Sequence, residues 1–388
     1  KTKNFHIGIR YLRILKVQSV VELLQELVQI PSVNPDGDPG VSPGGEKEVA
    51  CLVSKFLQPF GFDCVFEEVE PGRPNLIARA PGSRSRPRIL LGPHLDTVGI
   101  SGMTIDPFSG SINDGKIRGR GASDTKGPMA AMLWGLRENA HLLETLPVAV
   151  DFVGFMGEES RQPGSRHFAK NHAHQYEFAV AGEPTSLEAV FCTKGCLWAT
   201  VKATGKATHA SQPHRGENAI LKLLNELQHL EGSFLKHLSS VRHPVLGHST
   251  MNVGIISGGT RANIVPAQAT ATLDIRTVPA LVKDEPATEI LKRYLTKLEL
   301  IHSAESPPMA MPSNHPWLVK LKKIHPNLKF VGAPWFSDAA HLSAAGIPSI
   351  CLGPGSIDQA HTADEFIRIS DLEDGAAWFT KMIAGLGS

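Results

Sequence analysis

The sequence predicts an α/β fold, a mostly parallel sheet flanked by helices and interrupted by an inserted α+β segment. Three observations carry that expectation. Short apolar runs at Ile89 to Gly92, Val148 to Met156, Phe178 to Ala181 and Ile350 to Leu352 each stop shortly before polar residues able to do chemistry. Unbroken runs of that length suit strands buried on both faces. Helical patterns such as Met129 to Leu136 fall between them, and a crossover helix is the usual join between parallel neighbours. From about Leu197 to Ser303 the pattern changes to alternating strands (Leu197 to Ala203, Thr250 to Ile256, Thr270 to Arg276) interleaved with helices (Asn218 to Leu230, Lys283 to Leu298).

Taken in order, Lys1 to Lys16 carries five basic residues and no acidic one, and residues 1–16 read as a leader or an added tail. Ser19 with Glu22 three residues on is a capping-box pattern, and Val20, Leu23, Leu24, Leu27 and Val28 recur at helical spacing until Pro31 ends the run. Ser32 to Gly45, rich in Pro, Gly, Asp and Ser, reads as a loop. Glu46 to Leu57 is a second amphipathic helix closed by Pro59 and Gly61. Strand-type runs resume after Pro307. The expected organisation is a discontinuous catalytic domain, residues 17–196 and 304–388, interrupted by an insert, residues 197–303.

The 388 residues are 41% hydrophobic, with 39 Lys and Arg against 38 Asp and Glu, which is globular composition. A formal charge of +1 offers no basic excess to hold a phosphate backbone, so no nucleic-acid partner is expected. No apolar run reaches the ~18 to 20 residues of a membrane span, so no membrane association is expected. Five cysteines without a CxxC pair suit reduced thiols in a cytoplasmic protein with no disulfide.

Sites in parallel sheets lie beyond the carboxyl ends of the strands, so the polar residues that end these runs should converge. His94-Leu95-Asp96 puts an imidazole and a carboxylate on one side of an extended segment. Asp96 can then hold one ring nitrogen while the other binds a metal, although such a triplet alone is more often a solvated loop. Asp124, in the Gly-dense loop GRGASDTKGP that runs into an Ala-rich helix, is either an N-cap or a carboxylate able to bridge two ions. Glu158 and Glu159 follow an apolar run, and adjacent like charges in a packed region repel unless cations compensate them. Glu183 and His361 are ambiguous singly. Together, His94, Asp124, Glu159, Glu183 and His361 supply two imidazoles and three carboxylates, a mixed set that suits two divalent ions such as zinc sharing one bridging oxygen ligand. No cysteine belongs to the set, which favours a catalytic site over a closed structural one.

The segments "GPHLDT", "GRGASDTKG", "GEES", "GEPTSL", "GKATHAS", "GGTRANIVP", "LDIR" and "LGPGSIDQAHTADEF" occur in the order, and at roughly the spacing, of a known family. The chain from about Ser19 onward resembles the di-zinc amidohydrolases that include acetylornithine deacetylase, succinyl-diaminopimelate desuccinylase, aminoacylase and a bacterial glutamate carboxypeptidase. Within that family, "GEPTSL" and "GPGSIDQAHTADEF" look most like the acetylornithine deacetylase branch, which would place the chain in arginine biosynthesis. The resemblance implies metal-dependent hydrolysis of the amide of an N-acyl amino acid, with two ions, zinc foremost and cobalt or manganese as alternatives. It implies that Asp124 bridges both ions, that His94 and Glu183 complete one, and that Glu159 and His361 complete the other. Asp96 would orient His94, Glu158 would be the general acid/base, and a cis peptide would follow Asp124.

The insert matches the family's lid, which commonly forms a homodimer interface. His209 matches the histidine that reaches into the partner subunit's site and stabilises the oxyanion. Asn263 and Arg276 match lid residues that bind the substrate carboxylate, a task that suits a guanidinium. One departure stands out: Gly157 occupies a position where the family often has another acid.

Overall fold

The computed structural model describes residues 17–36, 45–82 and 84–387. The expected leader at 1–16 lies outside them. The chain divides into two compact units, the first running to Phe191 and including Met311–Val331 and everything from Ser337, the second comprising Cys192–Ala310 and Gly332–Phe336. The insert thus begins before 197 and ends after 303. Its outgoing and returning segments pair with each other, Thr193 with Met309 and Cys192 with Ala310, and so belong together.

The main sheet is built chiefly from β1 (Asp63–Glu70), β2 (Arg73–Arg79), β3 (Arg88–Pro93), β4 (Ala149–Gly154), β5 (Phe178–Gly182), β6 (Ala189–Thr193) and β7 (Ser349–Cys351). They lie in the order β1-β2-β4-β3-β5-β7-β6. The middle four run parallel, and antiparallel neighbours close both sides. Among the helices of the first unit are α1 (Val20–Val28), α2 (Gly45–Leu57), α3 (Lys126–Glu138), α4 (Pro163–His172), α5 (Asp338–Ala344) and α6 (Ile369–Gly385).

Strand alternation distributes the apolar runs to two cores. Ile89 and Leu91 join Phe152, Val180 and the buried faces of α1, α2, α3 and α6. Leu90 joins Val153, Phe155 and Ala179 with Phe168 of α4 and Leu342 of α5. Successive side chains point to opposite faces, so an unbroken apolar run is what a doubly covered strand requires. The start of α1 follows its capping signal: the Ser19 hydroxyl accepts from the Glu22 N–H, while the Glu22 carboxylate reaches the N–H of Gln18 rather than that of Ser19.

The second unit is a four-stranded antiparallel sheet in the order Thr250–Gly258, Gln268–Thr277, Gly195–Thr204, Glu299–Ser306. Two helices depart from expectation. The first extends past Leu230 to Ser240, because Leu223, Leu227, Leu230, Phe234 and Leu238 keep a buried stripe going. The second spans only Ala287–Lys292, because Pro286 supplies no N–H and restricts the residue before it, which puts the helix start after it. Among the described residues no helix is long and apolar enough to cross a membrane.

Candidate active site

The four parallel strands deliver their following residues to one end of the sheet, and that end assembles the site. β3 leads into His94 and Asp96, β4 into Glu158 and Glu159, β5 into Glu183, and β7 into the loop that carries His361. Asp124 arrives differently, from the loop before α3. The N-cap of α3 is Thr125, which makes no side-chain capping bond, so the Asp124 carboxylate is free to face the histidines. Its Oδ1 lies 3.1 Å from His94 Nε2 and its Oδ2 lies 3.5 Å from His361 Nε2. His361 Nε2 is also 3.1 Å from Glu159 Oε2. The ligand atoms of His94, Asp124 and Glu159 all fall within 4.8 Å of one another. Glu183 is buried in the same charge field but stands outside this tight trio. The Asp124–Thr125 peptide is cis, and His361 adopts a left-handed backbone (φ 62°).

Behind the trio, Asp96 is fully buried. Its carboxylate accepts from Asn34 Nδ2 at 2.7 Å and from the N–H groups of Glu158 and Glu159 at 3.0 Å each. His94 Nδ1 is nearer the carbonyl oxygen of Asp96 (3.0 Å) than its carboxylate (3.4 Å), so the backbone shares in orienting the ring. Glu365, also fully buried, clasps the Asp124 loop by accepting from the N–H groups of Gly121, Ser123 and Asp124 and from Arg120.

Electrostatics match this geometry. Burial pushes the Glu158 carboxyl well above the usual carboxylate range, and repulsion from Glu183, Asp338 and Glu159 adds to it. Burial and the neighbouring carboxylates push Glu159 and Glu183 up in the same way. Burial opposes charge on His94, but Asp124 and Asp96 outweigh it and raise the imidazole well above its ordinary value. Glu159 Oε1 is buried with no hydrogen-bond partner. Packed carboxylates with an unpaired inward oxygen lack positive charge, and bound cations are the compensation that such sets take. The residues present therefore fit divalent ions.

Gly157 has a physical reason. Its φ is +73° and a Cβ there would lie 2.9 Å from the ring of Pro163, so an acidic side chain does not fit. Its N–H donates to Glu46, itself paired with Arg73.

Of the residues expected in the lid, His209 and Asn263 come together: the two segments bridge between His209 and Ile264, and the N–H of Ala210 donates to the Asn263 carbonyl. Both side chains are exposed. Arg276 does not join them. It lies at the far end of strand Gln268–Thr277, ~26 Å along the sheet at the usual rise per residue, where its guanidinium forks onto Asp274.

Sequence reading missed Asn34, Gln162, Asp338, His341 and Glu365 as members or neighbours of this site. Only Glu365 carried a signal, being part of the quoted HTADEF segment. Asp338 is buried beside Ser165, and burial pushes its carboxyl up to about 7.

Two imidazoles and a set of buried carboxylates, at the carboxyl end of a largely parallel sheet, are the site of a metal-dependent hydrolase. A family model described as peptidase family M20/M25/M40 matches residues 90–385, and the chain belongs to that family. It is 31% identical over 374 residues to an acetylornithine deacetylase from Proteus mirabilis, spanning 92% of this chain and 94% of that one. It is 30% identical over 375 residues to the corresponding protein of Photorhabdus laumondii, with the same coverage. In fold it is similar to an M20 family metallo-carboxypeptidase from Sulfolobus solfataricus (TM-score 0.77, 20% identity, 96% of this chain and 100% of that one). It is also similar to a dinuclear metal-binding M20 peptidase from Bacillus subtilis (TM-score 0.63, 15% identity, 98% of each chain).

Proposed function

We propose that the protein hydrolyses the amide of an N-acyl amino acid, with N-acetyl-ornithine as substrate and ornithine and acetate as products. This would be a cytoplasmic step of arginine biosynthesis. The observation that carries the hydrolytic reading is the Glu158 carboxyl, raised by burial and its neighbours and set beside the trio of His94, Asp124 and Glu159. The substrate is supported by the likeness to acetylornithine deacetylases across 92% of the chain.

In this reading His94, Asp124, Glu183, Glu159 and His361 would hold two divalent ions, zinc in the first place, with Asp124 as the ligand they would share. Such ions make water acidic near neutral pH and polarise a carbonyl oxygen. Asp96 keeps His94 in register and, through the N–H groups it accepts, fixes the backbone of Glu158 and Glu159. Glu158 takes a proton from the attacking water on a carboxylate oxygen and returns it to the departing amine, a role that a raised carboxyl suits. Arg276 binds the substrate carboxylate.

The second unit acts in a homodimer, with His209 and Asn263 serving the partner subunit's site and His209 donating to the oxyanion. Its edge strand leaves Ile255 63% and Ile256 51% exposed, and its long helix leaves Leu221 58% exposed. An open apolar strand edge is one that a second chain covers.

The test is amine release from N-acetyl-ornithine and N-succinyl-diaminopimelate, side by side, by metal-loaded protein and by the same protein after chelation. Metal-dependent cleavage favouring the acetyl compound supports the proposal. Preference for the succinyl compound, or cleavage only of other acyl amino acids or dipeptides, overturns the substrate and keeps the chemistry.

A further inference from the structure

A hydrogen-bonded chain leads from Glu158 through Gln162 to His341. Glu158 Oε1 accepts from Gln162 Nε2 at 2.8 Å, and Gln162 Oε1 lies 2.9 Å from His341 Nε2. Gln162 is fully buried and His341 is 9% exposed. The loop that places the amide is unusual, because Arg161 and Gln162 both take left-handed backbones (φ 60° and 54°). A non-glycine residue in that region costs about 1 kcal/mol or more and is kept where surroundings over-determine it. Here Pro163 starts α4 directly behind the amide, and the Gln162 N–H is held by the carbonyls of Gly157 and Ser160.

The orientation of the amide follows from donor and acceptor capacity. The NH2 of Gln162, which only donates, faces Glu158, and its carbonyl, which only accepts, faces His341. That carbonyl requires a hydrogen on His341 Nε2. Arg166 Nε stands 3.3 Å from the same ring nitrogen, and donation from Arg166 to that nitrogen would exclude donation from it to Gln162. The shorter separation, 2.9 Å to the Gln162 carbonyl against 3.3 Å to Arg166, favours the second arrangement. Burial, with the Arg166 guanidinium adding to it, pushes His341 down to about 3, so the ring is neutral and has one N–H to place.

We propose that Gln162, braced by His341, is a positioning residue that aims the Glu158 carboxylate at the reacting water and amine. The inference rests on the reading of Glu158 as the general acid/base. Its consequence is a loss of turnover without loss of binding, since neither residue is among the expected substrate or metal contacts.

The test compares Gln162→Met, His341→Phe, the double variant and Glu158→Gln, all metal-loaded, on N-acetyl-ornithine. Gln162→Met should lower kcat about 10- to 100-fold with KM, bound metal and Tm close to wild type, because misplacement of a reacting group alone costs that much. His341→Phe should lower kcat by less, and the double variant should match Gln162→Met alone, since His341 acts only through the amide. In metal-free protein labelled with 15N-glutamine, the Gln162 side-chain resonance should move in both Glu158→Ala and His341→Phe. Wild-type kcat in Gln162→Met, a double variant equal to the product of the two losses, or a resonance indifferent to both changes overturns the proposal. If Gln162→Met does not fold, His341→Phe carries the test, and wild-type kcat there overturns it. A fully active Glu158→Gln sinks the reading of the base itself, whereas an inactive Glu158→Gln beside a fully active Gln162→Met sinks only the positioning role.

Discussion

The Asp96 carboxylate holds the backbone of Glu158: its Oδ1 accepts from the Glu158 N–H at 3.0 Å while its Oδ2 takes the next N–H, that of Glu159. One buried group behind His94 therefore sets the height of both the expected base and an expected ligand. Replacing it by Asn removes one acceptor oxygen and turns an NH2 group toward an N–H. Asp96→Asn should lose about 2 to 3 kcal/mol of stability, as for bonds to buried charge, together with activity. Denaturant melts and amine release measure both, and an unchanged midpoint would contradict the arrangement.

The Glu158 carboxylate accepts from Gln162 and is not one of the expected ligands, so Glu158→Gln should keep its metal while turnover falls by about 10² to 10⁴, the usual contribution of a general acid/base. Metal content by elemental analysis, alongside the rate, separates this from a ligand loss.

Glu365 tests how far the site depends on its supports. Its two oxygens accept from three N–H groups of the Asp124 loop and from Arg120. Glu365→Gln should weaken metal binding by about 10- to 100-fold, as removal of an outer-shell partner does. Chelator competition reads this directly, and affinity equal to wild type would show that the clasp is dispensable.

His325 makes acid sensitivity predictable. Its ring stacks on Trp378 (4.2 Å between centroids, 9°), and burial pushes it down to about 4. The unfolded chain binds a proton near pH 6.5 and the folded chain does not until about pH 4. Stability from this site is therefore full above 6.5 and is lost as pH falls through that window. His325→Phe keeps the stack and removes the proton, so its Tm should rise relative to wild type as pH drops from 6.5 toward 4. A Tm difference independent of pH would refute the assignment.

If His209 serves the partner's site, mixing His209→Ala with Glu158→Gln should restore activity through hybrid dimers carrying one intact site. Demonstrated subunit exchange without recovery would place His209 in its own subunit's chemistry or outside the reaction.

Residue order and local pattern were enough to determine the elements that end in chemistry. Apolar runs buried on both faces, the Ser19 cap and the ordered set His94, Asp124, Glu159, Glu183 and His361 could all be read from the chain. Strand burial and capping are local properties, and the motif strings carry their own spacing. Tertiary structure alone decided which groups stand behind that set. Asn34, Glu365, Gln162 and His341 come from loops and helices far apart in sequence, and no periodicity marks a residue whose role is to accept from another loop's N–H. It alone also showed why position 157 is held by glycine, since the obstruction is Pro163 across a left-handed turn. Arg276, which the resemblance pairs with Asn263, lies near the far end of strand Gln268–Thr277 while Asn263 sits in the turn before that strand, because an extended chain carries each residue a further ~3.3 Å away.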